Sequence, residues 1–316
     1  MGLRHNTPAT IHINRKSLAK QIYAFRYLYL LLSFTLIYFI IFKYAPMYGV
    51  QLAFKKFTYR RGITGSEWIG WTNFQSLFNN KQFTRTIGNT IAISMGRLLF
   101  TFFVPIAVAI LLNEIRCSAF KRVVQTCMYL PHFLSWVVIS GIAYSLLSVN
   151  GGFINKLILA SGGQTVNFLL EPKCFRPILY ISSVWKEVGW ESIIYLAALA
   201  GVNPELYEAA TVDGAGRFKQ MIHVTWPGIR STVVIMLILT VSRIMSAGFD
   251  QIYNLYSSPV FSVADIIDTY TYRELFLKSK FGEATAAGLF QAAINVVIVV
   301  ATNQLAKAIN DGEGLY

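Results

Sequence analysis

Charge is scarce in this 316-residue chain: Asp, Glu, Lys and Arg together make up 14% of it, against roughly 25% in soluble domains. With 54% apolar residues and a mean hydropathy of +0.48, that scarcity excludes an ordinary water-soluble enzyme or a disordered tail. Cysteine is nearly absent as well. Cys117, Cys127 and Cys174 are too few and too scattered for a disulfide scaffold, a metal site or a redox pair, and read as structural. The four histidines, His5, His12, His132 and His223, do not cluster in sequence, so no histidine-based catalytic or metal centre is expected. Acidic residues number 15 against 28 basic ones, a net charge of +13. On a soluble protein such a surplus points to nucleic acid; here its location along the chain decides, and no nucleic-acid partner is expected. No Gly-x-x-x-x-Gly-Lys-Ser/Thr phosphate loop is present, so this chain carries no nucleotide-binding motif of that kind.

What the sequence has in abundance is long apolar runs. A helix rising ~1.5 Å per residue needs about 20 residues to cross ~30 Å of hydrocarbon, and six runs come close: Tyr27 to Phe42, Ile87 to Leu112, Val123 to Val149, Ile178 to Ala200, Ser231 to Gly248 and Ala284 to Leu305. The first extends backward past Arg26, whose long stem carries its charge to the interface. Basic residues precede it, but no small-x-small cleavage pattern follows, so it reads as a retained span and not a secretory signal. The expectation is an all-α membrane protein of six transmembrane helices, with a basic tail at 1–26, a six-span body at 27–305 and a short tail at 306–316.

The basic N-terminal tail, and the loop Asn113 to Arg122 with three basic residues against Glu114, place both termini in the cytoplasm by the positive-inside rule. The outer segments are then Lys43 to Thr86, Asn150 to Pro177 and Phe249 to Glu283. The first carries Lys43, Lys55, Lys56, Arg60, Arg61, Lys81 and Arg85 against Glu67 alone, a field that suits an anionic sugar or an acidic protein surface.

Between the fourth and fifth runs, residues 201–230 form an inner loop. Asn203 can cap a short helix with Pro204 in its first turn, Gly214 and Gly216 permit a bend, and Pro227 closes a second short helix before the fifth span. Ala209 and Ala210 leave room for another protein to approach closely. The spacing is specific: Glu208-Ala209-Ala210, three residues, Gly214, nine residues, Val224, one residue, Trp226-Pro227.

This loop resembles the EAA loop of ABC importer membrane subunits, whose pattern is Glu-Ala-Ala, three residues, Gly, nine residues, Ile, any residue, Leu-Pro. Val224 and Trp226 depart from it and stay apolar. The resemblance covers nearly the whole chain and is nearest to the carbohydrate group related to the maltose importer membrane subunits. Residues Pro131 to Gly141 and Trp185 to Gly201 are similar to the branch handling alginate-type and aldouronate-type oligosaccharides. It implies a type I importer permease in the bacterial cytoplasmic (inner) membrane, forming half of a translocation pathway with a second similar membrane subunit. It also implies two cytoplasmic ATPase subunits that hold ATP and Mg, an external solute-binding protein, and an oligosaccharide substrate; the basic outer segment, not the resemblance, suggests an acidic one, a uronate such as alginate. The chain itself would bind no cofactor and perform no bond chemistry. Coupling to the ATPase would fall to Glu208, Ala209, Ala210, Gly214 and Pro227. The alternative within transport is a non-sugar solute, an amino acid, peptide or phosphate, on the same machinery.

Ionisable residues at membrane depth are costly and face a cavity or a partner. Arg97 lies in the second run, Lys186, Glu187 and Glu191 in the fourth, and Arg243 in the outer half of the fifth. The i to i+4 spacing places both carboxylates on one helix face. Two readings stand: these groups line the sugar's route, or they form interhelical ion pairs such as Arg243 with Glu187 or Glu191. A hydrolytic acid pair is not expected on so apolar a helix. A sugar path also needs aromatic platforms and amides, for which Trp136, Tyr144, Trp185, Trp190, Gln291 and Asn295 are candidates; the aromatic ones also suit an interface belt, and the amides interhelical bonds. Pro105 is expected to kink the second span.

Overall fold

The computed structural model describes residues 23–309; the basic tail up to residue 22 and residues 310–316 lie outside the described residues. The chain divides into two compact units, one ending at Gln51 and the other beginning at Leu52. The first holds α1 (Arg26–Phe39), which continues through a π turn at Ile40–Tyr44. Nothing within α1 interrupts a helix, since glycine, proline and acidic residues are all missing from it. Its apolar side chains, among them Leu28, Leu31, Phe34 and Ile37, are exposed.

The second unit opens on a short antiparallel pair, β1 (Lys55–Lys56) with β2 (Glu67–Trp68), in which Lys55 faces Trp68 in register. Lys55 corrects the expectation of an outward basic field. It is buried, its Nζ donates to Ile63 O at 2.8 Å and lies over the Trp68 ring at 5.0 Å, so its charge serves the turn; Lys56, Arg60 and Arg61 are exposed.

The long helices follow: α2 (Lys81–Asn113), the pair α3 (Ser118–Phe133) and α4 (Trp136–Leu147), α5 (Pro172–Ala200), α6 (Pro204–Val212), α7 (Arg217–Val241), α8 (Phe249–Leu255), α9 (Ile267–Tyr272) and α10 (Phe281–Ile309). Among the described residues four helices are long and apolar enough to cross a membrane, five if the bent pair is one span. At 29 residues α5 matches them in length; Lys186, Glu187 and Glu191 set it apart in composition.

The third run is not one straight helix over Val123 to Val149. Its two halves meet at 103°. Pro131 opens a 3-10 turn at Leu130–Phe133, Leu134 is extended, and Ser135 starts α4 by accepting the Val138 N–H on its Oγ. The fourth helix starts at Pro172, inside the segment expected to be outer loop, and carries Pro177 within it. The fifth starts far earlier than Ser231 and ends at Val241, not Gly248. Pro227 does not close a separate helix: α7 runs through it. The carbonyl that a proline leaves unpaired and crowds is that of residue i−4, here His223, and His223 lies in a π turn at Met221–Thr225. Pro105 is treated the same way, with Thr101 inside the π turn Leu98–Phe102. In both helices the widened turn absorbs the ring where an α turn would clash.

Two apolar clusters fix the middle of the unit. Ile93, Phe175, Leu179, Ile252 and Leu255 pack α2, α5 and α8 together, while Phe102, Ile106, Tyr195, Leu199, Ile229 and Val233 join α2, α5 and α7.

Candidate functional site

The segment after α5 folds as a hairpin. Asn203 Oδ1 accepts the Glu205 N–H at 3.0 Å, Pro204 occupies the first turn of α6, and Gly214 adopts φ +75° at the bend. Tyr207 and Thr225 meet through their hydroxyls at 3.0 Å, and Gln220 Nε2 donates to Thr211 Oγ1 and Ala215 O, which ties α6 to the start of α7. Arg217 Nη1 stands 3.7 Å from Glu114 Oε2, linking the hairpin to the α2–α3 loop. Glu208, Ala209, Gly214 and Pro227 are exposed and Ala210 is half-buried. Around them Leu206, Val212 and Phe218 are exposed as well.

Deeper in the bundle, Arg97 of α2, Glu191 of α5 and Arg243 beyond α7 line one cavity of about 420 Å³, with Thr101, Thr240 and Ser246 among the other lining groups. Arg243 does not lie within the fifth helix: α7 has already ended, and Arg243 precedes the 3-10 turn Ile244–Ser246. The expected pairing of Arg243 with Glu187 or Glu191 is not formed. Glu187 is taken by His132, whose Nδ1 lies 2.7 Å from its Oε2, and by Lys186 at 3.6 Å.

Lys186 is buried, donates to His132 O and stands over the Trp136 ring at 5.8 Å. The imidazole of His132 in turn stacks parallel on Trp190 at 4.4 Å. Trp136 and Lys186 also face a second cavity of about 330 Å³ with Asp250 and Asn254. Trp185 and Tyr144 are exposed on α5 and α4. Gln291 Nε2 donates to Met245 O at 2.8 Å and Asn295 Nδ2 to Ser242 O at 2.7 Å, so both amides cap the frayed end of α7.

Three residues escaped the sequence reading. Gln251, fully buried, bridges Arg97 to Leu179, Ser182 and Ser183 of α5. His132 joins the third element to the fourth, and Gly248, at φ +81°, has no side chain where Arg97 sits; a Cβ there would lie 2.0 Å from Nη1. The one available signal was the Gly248-Phe249-Asp250-Gln251 break itself, an amide within four residues of a glycine at the end of an apolar run. Among the described residues no cluster of three His, Cys, Asp or Glu is placed to hold a metal, and the three cysteines are unpaired, Cys117 and Cys127 being exposed.

Comparison with known proteins places this architecture. The polygalacturonan/rhamnogalacturonan transport system permease protein YteP of Bacillus subtilis is 43% identical over 96% of this chain and 94% of its own length. The diacetylchitobiose uptake system permease protein NgcF of Streptomyces coelicolor is 28% identical over 87% and 81%. A chain from the crystal structure of a bacterial ABC transporter involved in import of the acidic polysaccharide alginate superposes with a TM-score of 0.88, at 40% identity, over 93% of this chain and all of that one. A second, from the alginate transporter in complex with its pentasaccharide-bound periplasmic protein, gives 0.88 at 39% identity over 95% and 100%. Residues 102–311 match the family of binding-protein-dependent transport system inner membrane components. The chain belongs to that family and is a multi-pass inner-membrane permease subunit.

Proposed function

We propose that this chain forms half of the pathway by which an oligosaccharide, delivered by an external binding protein, crosses the membrane through alternating access. A second, similar membrane subunit supplies the other half, and two cytoplasmic ATPase subunits, holding ATP and Mg, drive the cycle. The N- and C-terminal tails face the cytoplasm, as does the hairpin of α6 and α7. Saccharide is favoured over other solutes by the relatives, which are permeases of polygalacturonan/rhamnogalacturonan and diacetylchitobiose.

The observation that carries the coupling role is the hairpin: a bend held by Gly214, hydrogen-bonded across its base, and presenting Glu208 and Ala209 beside exposed Leu206, Val212 and Phe218. Exposed apolar side chains rimmed by charge are a protein-docking surface. On this reading the ATPase seats against them, and its closure is passed along α7, which is continuous from Arg217 to Val241.

The test uses the whole complex in proteoliposomes. Glu208→Lys reverses the charge at the docking face, and Gly214→Val forces a β-branched residue into a left-handed conformation at a cost of ~1–2 kcal/mol. Both variants should insert and assemble, continue to hydrolyse ATP, and fail to accumulate oligosaccharide. Uptake at the unmodified rate by either one removes the coupling role from this hairpin.

A further inference from the structure

The cavity between α2, α5 and the end of α7 holds two guanidinium groups of unlike status. Arg97 is committed: its Nη1 donates to Gln251 Oε1, and Gly248 leaves it the room to do so. Glu191, in the same cavity, makes no hydrogen bond or close ion pair among the described residues, and its charge acts on Arg97 from a distance. Arg243 is exposed to the cavity and forms no side-chain hydrogen bond or ion pair among the described residues. Arg97 and Glu191 balance, and the surplus positive charge is that of Arg243.

Beside apolar Leu98, Met236, Leu239 and Ile244, the lining carries hydroxyls that can accept hydrogen bonds. Thr101 donates its hydroxyl proton to Arg97 O, Thr240 to Met236 O and Ser246 to Arg243 O, each at 2.8 Å. Their oxygens keep lone pairs for an incoming donor, as do the carboxylate oxygens of Glu191. Acceptors set among apolar side chains suit a ligand that has hydroxyl donors and apolar CH faces, and at about 420 Å³ the cavity falls within the ~300–1,000 Å³ of ligand pockets. A neutral sugar would leave the cation without a counter-charge. A sugar that carries both hydroxyls and a carboxylate satisfies acceptors and cation together, the latter through a charge-assisted, bidentate contact that guanidinium makes and ammonium does not.

We infer that Arg243 is a specificity-determining residue that pairs with the carboxylate of an acidic saccharide as it passes this cavity. The inference rests on the importer function proposed above and assigns that function its substrate charge at one side chain.

The complete complex with its binding protein, reconstituted in proteoliposomes, is given trigalacturonate, its methyl ester, which is the same skeleton without charge, and maltotriose. The native complex should take up the acid faster than the ester. In Arg243→Gln the acid-to-ester ratio should fall about 10- to 100-fold, the range of a charged hydrogen-bonded contact, with partial recovery in Arg243→Lys. Glu191→Gln, which removes the opposing charge, should raise the ratio. That second variant and the native ratio serve as the measure if Arg243→Gln does not assemble. A ratio near one in the native complex, or one that neither substitution moves, overturns the inference and leaves the importer reading standing. Uptake of none of the three saccharides sinks the importer reading and this inference with it.

Discussion

Gln251 ties α2 and α5 to α8 through one buried side chain, and replacing it with leucine tests that packing. A carboxamide offers two donors and two acceptor sites, and all four are used: Nε2 donates to Leu179 O and Ser182 Oγ, each at 2.8 Å, while Oε1 accepts from Ser183 Oγ at 2.9 Å and from Arg97 Nη1. Leucine is close in size, so the variant leaves little cavity and isolates the polar loss. Three neutral bonds at ~0.5–1.5 kcal/mol and one charged bond at ~1.5–3 sum to about 3–7 kcal/mol in water. Interhelical bonds in bilayers average nearer ~0.6 kcal/mol, which sets the expectation at the lower end, about 3 kcal/mol.

For a domain of this size 1 kcal/mol moves the thermal midpoint by ~2–4 °C, so Gln251→Leu should unfold about 6 °C or more below the native protein. Gln251→Glu should lie between the two. It retains acceptors for Ser183 and Arg97, gains an ion pair with Arg97, and loses both donors. The measurement is the thermal midpoint of the purified complex in detergent, with size exclusion as the check on assembly. If Gln251→Leu unfolds within about 1 °C of the native protein, the network contributes nothing, and Arg97 must then be read as a path residue with both ends free.

Two further outcomes follow from close approach and from burial. Gly189 of α5 lies against α3 so tightly that a Cβ would sit 2.1 Å from Met128 O, whereas Gly88 has open space around it; Gly189→Ala should cost ~1–3 kcal/mol by overpacking while Gly88→Ala costs nothing, and equal midpoints for the two would refute the contact. Asp268, in the short helix α9 between α7 and α10, has its carboxyl pushed above the ordinary range by burial, with the Gln291 amide opposing in part. A raised folded value means its contribution to stability is fully present below the unfolded carboxylate value of ~3.9 and is lost as pH rises through the folded value. Asp268→Asn should therefore gain on the native protein as pH rises above about 4, and a difference in midpoint that is flat with pH would refute the raised carboxyl.

Much of the fold was legible because hydropathy reports burial in lipid and in protein alike, and the long runs are the long helices. The hairpin of α6 and the start of α7 was legible through residue types that do one thing: Asn203 as a cap, Gly214 for a left-handed bend. The departures have local causes. Pro227 reads as a helix end because a proline costs an α turn its hydrogen bond, but a π turn two residues earlier removes the conflict. Lys55 reads as surface charge until the Trp68 ring and Ile63 O close over it. Glu187 and Glu191 share a helix face and yet serve different neighbours, because His132 arrives from a break between α3 and α4 that apolar composition hides.

The end of α7 shows why the cavity could not be read from spacing. Hydropathy carries the fifth run to Gly248, and in an unbroken helix Ser242 O would accept from Ser246 N and Met245 O from Phe249 N. Gln291 and Asn295, one turn apart on α10, would then have been free to bind a sugar. Instead Ala247 and Gly248 take φ +45° and +81°, Ser246 N turns back to Arg243 O, and the carbonyls of Ser242 and Met245 are released. A released carbonyl in this setting must find a donor, and the two amides supply it. The same break that occupies the amides carries Arg243 out of the helix and onto the cavity wall, where its side chain has no partner among the described residues. The exposure of Arg243 on the cavity wall and the loss of the amide candidates are one event, the end of α7 at Val241 and the 3-10 turn that follows it.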